Sequence, residues 1–342
     1  MPIINQVTAG GGTTPTGTLP ITNNGTYDVT NYASADVNVP TTAPAIYREF
    51  QLDGTGKLIP NTTTTHIMDF TGVTGMGEYV LTGAYMNNTA ISGAIDMSDL
   101  TLLVFGGSCM NAFRGCTGIT SIDLSSLTSV SGGTACQYMF NGCTSLTSAN
   151  LSSLTTISGN YSCGDMFSSS GLTSANLSSL TTVTGNSACS SMFQNCTGLT
   201  SANLSSLTTI GANNACYSMF SGCTGLTGVN LSALTTISGS CSYMFGGCTG
   251  LTSMDISSLT TLSGNAACNY MFSGCTSLAT VYIGGTTAIN FGGRTNVFAY
   301  MFNGCSQNID VYAPAASQAT IETFSGYPNF GGTGTVTWHW RS

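Results

Sequence analysis

The chain has 342 residues, of which only 5% are charged, and Lys plus Arg number 5 against 13 acids. Its surface must therefore be built from Ser, Thr, Asn and Gly, and nucleic-acid binding is disfavoured because phosphate contacts need clustered Lys or Arg. No window reaches about 18 uninterrupted apolar residues, so no membrane insertion is expected. Met1-Pro-Ile-Ile-Asn-Gln-Val lacks a charged start and a sustained apolar run, so no secretion signal is expected either.

In chain order, residues 1–14 read as a flexible arm. Its Gly10-Gly-Gly12 run lacks the Lys-Ser/Thr ending of a phosphate loop. Residues 15–44 read as a small β module, with Gly25 turning between Leu19-Pro-Ile21 and Thr26-Tyr-Asp-Val29, and Ala35-Asp-Val-Asn-Val39 alternating as a third strand. Three short strands make too small a core, so this module is expected to lean on a neighbour or an oligomer partner. Residues 45–84, with the alternating Thr65-His-Ile-Met-Asp-Phe70, are expected to cap the open edge of the repeats that begin at residue 85.

Residues 85–312 are repetitive. Met-Phe pairs end at Phe140, Phe167, Phe193, Phe220, Phe245, Phe272 and Phe302, with Ala112-Phe113 as a variant, in steps of 25 to 30 residues. Such periods mean stacked units, each unable to bury its apolar face alone. Val229 and Leu231 alternate with polar neighbours, the period of a half-buried strand. Cys216, Met219, Phe220 and Cys223 fall at i, i+3, i+4 and i+7, which predicts a helix of about two turns. Ile95-Asp-Met97, Val281-Tyr-Ile283 and Ile309-Asp-Val311 fill the strand slot in degenerate copies. The expectation is an α/β solenoid with short helices and one parallel β ladder of about nine strands. Residues 313–342, through Pro314 to Phe324 and Thr335-Val-Thr-Trp338, would cap its far end.

The block of Ala-Phe or Met-Phe, two residues, Cys, Thr-Ser/Gly-Leu, Thr-Ser and strand resembles the BspA-like leucine-rich repeat family over residues 85–312. That resemblance implies a right-handed leucine-rich solenoid. Most strands are followed by Ser-Ser-Leu where the family often has Pro. Ala149, Ala175 and Ala202 are small at a slot usually filled by Ile or Leu, which implies thinner packing on that face. Separately, residues 19–39 resemble a small module of structural proteins of tailed bacteriophages and prophages.

Fourteen cysteines invite a disulfide or zinc reading. Six pairs are spaced seven apart, which on a helix is about 10.5 Å, beyond the roughly 7 Å limit for a bridge. His66 and His339 lie outside the array, so zinc lacks converging ligands. Cys163 faces Ser170 and Cys305 faces Phe298, which suits a packing slot. Buried free thiols are the expectation, with bridges between adjacent coils as the alternative.

Asp96, Asp123, Asn150, Asn176, Asn203, Asn230, Asp255, Tyr282 and Asp310 are expected to form one column on the exposed strand face, with Ser148, Ser174 and Ser201 beside it. The column is either a solvated ladder bonded to itself or a strip that binds protein or glycan. Asn203, Asn230, Asp255, Tyr282 and Asp310 are the candidate ligand-binding residues, because an aromatic joins carboxylates at that end. Trp338 and Trp340 either stack on a sugar or cap the core.

No catalytic or metal-binding residues and no cofactor are expected: a Ser-His-Asp relay needs a histidine in the array, and the acids sit among amides. The leading functional expectation is a non-enzymatic phage virion protein, a tail fibre or a head or tail decoration. Its N-terminal region would dock to other virion proteins, in many copies or as a homo-oligomer, and its solenoid would attach to a host-surface protein or glycan. The alternative is a bacterial cell-surface adhesin of the BspA-like type.

Overall fold

In the computed structural model, residues 81–83, 85–89 and 91–342 are described in full, together with the backbone of 50–52 and 58–60. The expected arm, the β module and most of the N-terminal cap, including His66, lie outside the described residues. Within that cap, Phe50–Leu52 pairs antiparallel with Leu58–Pro60.

The repeats coil into a parallel β-solenoid of about nine turns, and each coil has three sides. On the first side lie the predicted strands, from Ser92–Asp96 to Gly228–Asn230, forming a six-stranded sheet. A four-stranded sheet of Ser253–Ile256, Thr280–Ile283, Ile309–Pro314 and Val336–Arg341 continues it. The second side carries a ladder that the sequence reading did not separate, seven two-residue strands from Leu102–Leu103 to Thr261–Leu262. Neighbours pair in parallel at equivalent positions, as in Ala202 with Val229 and Val183 with Ile210. Threonines fasten the coils: Oγ1 of Thr128, Thr155, Thr181, Thr208 and Thr235 each donates to a carbonyl one coil back at 2.8–3.2 Å.

The third side corrects the predicted helices. Residues such as 132–142 form a ribbon of β-turns in which every fourth residue is left-handed: Thr134, Tyr138 and Gly142 have φ of 55°, 57° and 73°. Alternate amides close the turns, as Met139 N–H to Cys136 O at 3.0 Å. The amides between them reach the next coil, as Tyr138 N–H to Gly164 O at 2.9 Å and Phe140 N–H to Met166 O at 2.8 Å. The reason is width. A helix is about 10 Å across, whereas stacked strands repeat at about 4.8 Å, so one helix per coil would force the coils apart. A turn ribbon is one strand thick and shares its hydrogen bonds with its neighbours. The described residues contain a single α-helical turn, Gln318–Ile321, and no helix among them is long and apolar enough to cross a membrane.

Cys216, Met219, Phe220 and Cys223 all point inward and are fully buried, as the spacing required. A file of rings runs through the core from Tyr85 and Phe113 to Phe272 and Phe302, at centroid spacings of 5.2–6.1 Å and tilts of 3–12°. Parallel offset rings at this spacing add to the stabilisation from burial. Elsewhere coils touch through backbone: a Cβ on Gly159 would press on the Gly132 carbonyl, and one on Gly185 on that of Gly159.

The fourteen cysteines are free and buried. Their role is visible in the second of each pair. The thiols of Cys116, Cys143, Cys196, Cys223, Cys248, Cys275 and Cys305 donate to the Tyr85 or Phe carbonyl of the preceding coil at 2.9–3.1 Å. Where Ser170 replaces cysteine, its hydroxyl lies 3.4 Å from Cys196 Sγ. Burial pushes the Cys143 and Cys268 thiols up to about 12. In the first-cysteine file, burial likewise raises the Cys109 thiol well above its ordinary value. Thiols held protonated in this way are poor nucleophiles.

Candidate ligand-binding face

The polar column on the first side is built by the turn that ends each strand. Oδ1 of Asp96, Asp123, Asn150, Asn176, Asn203, Asn230 and Asp255 accepts the backbone N–H two residues on, from Ser98 through Ser257, at 2.8–3.3 Å. These are Asx turns. The column is therefore not bonded along itself; each member holds its own corner. The carboxylates make the shorter bonds, 2.8–2.9 Å against 3.1–3.3 Å for the amides, as expected for a charged acceptor. The bonds from Ser98 hold the Asp96 carboxyl below its ordinary value.

With Oδ1 committed, what each residue offers outward is its other polar atom. That is a carboxylate oxygen at the aspartates and an amide donor at the asparagines. Among the described residues, Nδ2 of Asn176, Asn203 and Asn230 has no partner. Asn176, Asn203 and Asn230, with Ser174, Ser201 and Thr227, line an open trough of about 620 Å³ across three coils. Its walls include Ala175 and Ala202, the small residues noted in the sequence, and Gly228, where a Cβ would meet nothing within 4 Å.

Asn203, Asn230, Asp255 and Tyr282 fall in the expected column, but Asp310 does not. Tyr282 pairs with Tyr312, and Asp310 pairs with Thr280, one row over. Phe272 to Phe302 is a step of 30 residues, and the same step from Tyr282 reaches Tyr312, so the signal was present. The strand Ile309–Pro314 has six residues against four in its neighbour Thr280–Ile283, and it begins one position earlier.

The column therefore ends in a stack. Tyr282 and Tyr312 lie 4.9 Å apart, and Tyr312 and His339 4.6 Å. Asp310 approaches from the side, Oδ1 to His339 Nε2 at 2.8 Å. Arg341 lies over Tyr282 at 5.6 Å and donates to the Gly284 carbonyl. Sequence reasoning missed Tyr312, His339 and Arg341 because the register at the last two strands was unread. Trp338 and Trp340 point to the core side, stacked at 5.6 Å, with Trp338 Nε1 donating to the Pro328 carbonyl at 3.0 Å. The turn ribbon bears a second aromatic row, Tyr243, Tyr270 and Tyr300, at 4.6 and 5.0 Å. Those rings cover one another's faces.

The model of the BspA-type leucine-rich repeat region matches in six copies over residues 108–218 and 189–325. The chain belongs to the BspA-type leucine-rich repeat family. No curated relative matches the sequence. Among solved structures, the chain is similar to a leucine-rich cell-surface protein of Faecalibacterium prausnitzii at 15% identity and a TM-score of 0.29, over 85% of this chain and 93% of that one. It is also similar to the pneumococcal vaccine antigen PcpA at 14% identity and a TM-score of 0.29, over 85% of this chain and 77% of that one.

Proposed function

We propose that this BspA-type repeat protein is a non-enzymatic attachment protein on a bacterial cell surface, and that its strand face contacts a host-surface protein or glycan. The observation that carries the proposal is the trough at Asn176, Asn203 and Asn230. It is uncharged, open to solvent, and lined by amides whose donors the fold leaves unused. The small side chains at Ala175 and Ala202 and the bare Gly228 set its depth, and they leave the flanking asparagine donors accessible to a ligand. An adhesin is also the role that the repeat resemblance implies, and the repeats span most of the chain.

A second reading, a virion attachment protein displayed in many copies and docked through its N-terminal region, rests on residues 19–39. These resemble a phage structural module and lie outside the described residues. One experiment separates the two. Intact producing cells are stained with antibody to the solenoid, and the full chain is tested for saturable binding to immobilised mucin, matrix protein and cell-wall material. Staining without permeabilisation, with saturable binding, is the expected result. Staining only after permeabilisation, or co-sedimentation with phage particles, would move the assignment to the virion.

A further inference from the structure

Resting on the reading of the strand face as the attachment face, we propose that the trough takes a neutral, linear, N-acetylated polysaccharide. It runs along the solenoid axis between the serine and asparagine rows, one sugar unit per coil.

The charge pattern selects a neutral, acceptor-rich ligand. Because the Asx turns consume Oδ1 at every coil, the outward atoms are amide donors at Asn150, Asn176, Asn203 and Asn230. Carboxylates stand on either side, at Asp123 and Asp255. Four successive donors bounded by negative charge favour carbonyl oxygens and repel an anionic polymer at both ends.

The repeat selects a sugar over a peptide. Strands recur at about 4.8 Å, whereas carbonyls along one edge of an extended peptide recur every second residue, at about 6.8 Å. A peptide lying along the axis falls out of step within two coils. A hexopyranose unit in an extended polymer is about one coil long. In a two-fold polymer the acetamido groups alternate, so every second asparagine of the run meets a carbonyl and the carbonyls between them face the serine row. The serine row carries hydroxyls at Ser174 and Ser201 but only hydrogen at Gly228, where the space beside Cα is empty. That notch gives an acetamido methyl room at one coil.

The test is calorimetric titration of the full chain with the dimer, tetramer and hexamer of β-1,4-linked N-acetylglucosamine. Affinity should rise from dimer to tetramer and gain little beyond, because the trough crosses three coils and Asn150 extends the donor run by a fourth. Asn203→Asp keeps the Asx turn, as Asp123 and Asp255 do, and should leave the melting temperature unchanged while weakening tetramer binding about tenfold, the loss of one hydrogen bond to a carbonyl. Equal binding by Asn203→Asp, or tighter binding of an oligogalacturonate or an extended peptide, would overturn the assignment. If no oligomer binds but filling the trough with Gly228→Tyr still abolishes attachment to the immobilised materials, the sugar assignment fails and the attachment face stands. If Gly228→Tyr attaches like the wild type, the attachment face itself is wrong.

Discussion

Asp165 occupies a left-handed turn position with φ of 52°, half-buried on the ribbon beside Arg114 and Tyr138. Burial lifts its carboxyl to about 6, while Arg114 and the Tyr138 hydroxyl pull the other way. Arg114 is itself engaged, 5.3 Å over the Tyr138 ring. A carboxyl whose value is raised by folding favours the folded state when protonated. Its contribution is complete below the ordinary carboxylate range and is lost as pH rises through about 6. Thermal unfolding of Asp165→Asn should therefore show a flatter pH profile between the two values. At neutral pH the variant should be more stable than the wild type by ~1 kcal/mol, a figure discounted for partial exposure. A variant less stable than the wild type at neutral pH would mean that the pairing with Arg114 outweighs burial. The cysteines are testable at the same scale. Ser170 shows that a hydroxyl fits the second-cysteine slot, so Cys223→Ser should shift the urea midpoint little. Cys223→Val leaves the Phe193 carbonyl without its cross-coil donor and adds a branch to a closed core, a loss of about 1–3 kcal/mol.

The inward residues of every coil were legible in the sequence, because alternation at Val229 and Leu231 and the Cys-Met-Phe-Cys spacing both mark a buried side. The element on the third side was not. A stripe at i, i+3, i+4 and i+7 is the signature of a helix, yet a ribbon of four-residue turns with every fourth residue left-handed buries the same positions. The discriminating signal was the slot before each Met-Phe, which holds Asn111, Tyr138, Asp165, Ser191, Ser218, Tyr243, Tyr270 and Tyr300, all with positive φ. Bulky tyrosines at such positions are uncommon. They are retained here where Tyr243, Tyr270 and Tyr300 stack on one another. Far-UV circular dichroism tests the correction: the ribbon predicts a spectrum of strand and turn with no helical double minimum. A strong helical signal would restore the helices. The candidate binding residues were legible in part. The column was found from its spacing, but the Asx turns that fix its outward chemistry depend on where each strand ends, and the final register shift hid Tyr312 and His339.

Across the whole molecule, one period serves stability and, in the proposed function, recognition as well. Coils one strand thick bring the threonine hydroxyls, the cysteine thiols and half of the ribbon amides within reach of the next coil, so the array is held by repeated short bonds along its axis. The same spacing lays out the asparagine donors at regular intervals on the first side. A solenoid of this kind needs few charges, and the low charge of the surface leaves recognition to hydrogen bonding, which salt screens little. In the proposed function the strand face, and not the ribbon, makes contact. Attachment of the full chain to the immobilised surface material can be compared for two variants. Gly228→Tyr fills the trough from a position where a Cβ meets nothing. The Tyr243→Ser/Tyr270→Ser pair strips the ribbon, using a residue that the same slot already accepts at Ser191 and Ser218. The expected result is that Gly228→Tyr lowers attachment at least about tenfold, with unchanged melting, and that the ribbon pair attaches as the wild type does. Loss in the ribbon pair with full attachment by Gly228→Tyr would contradict it.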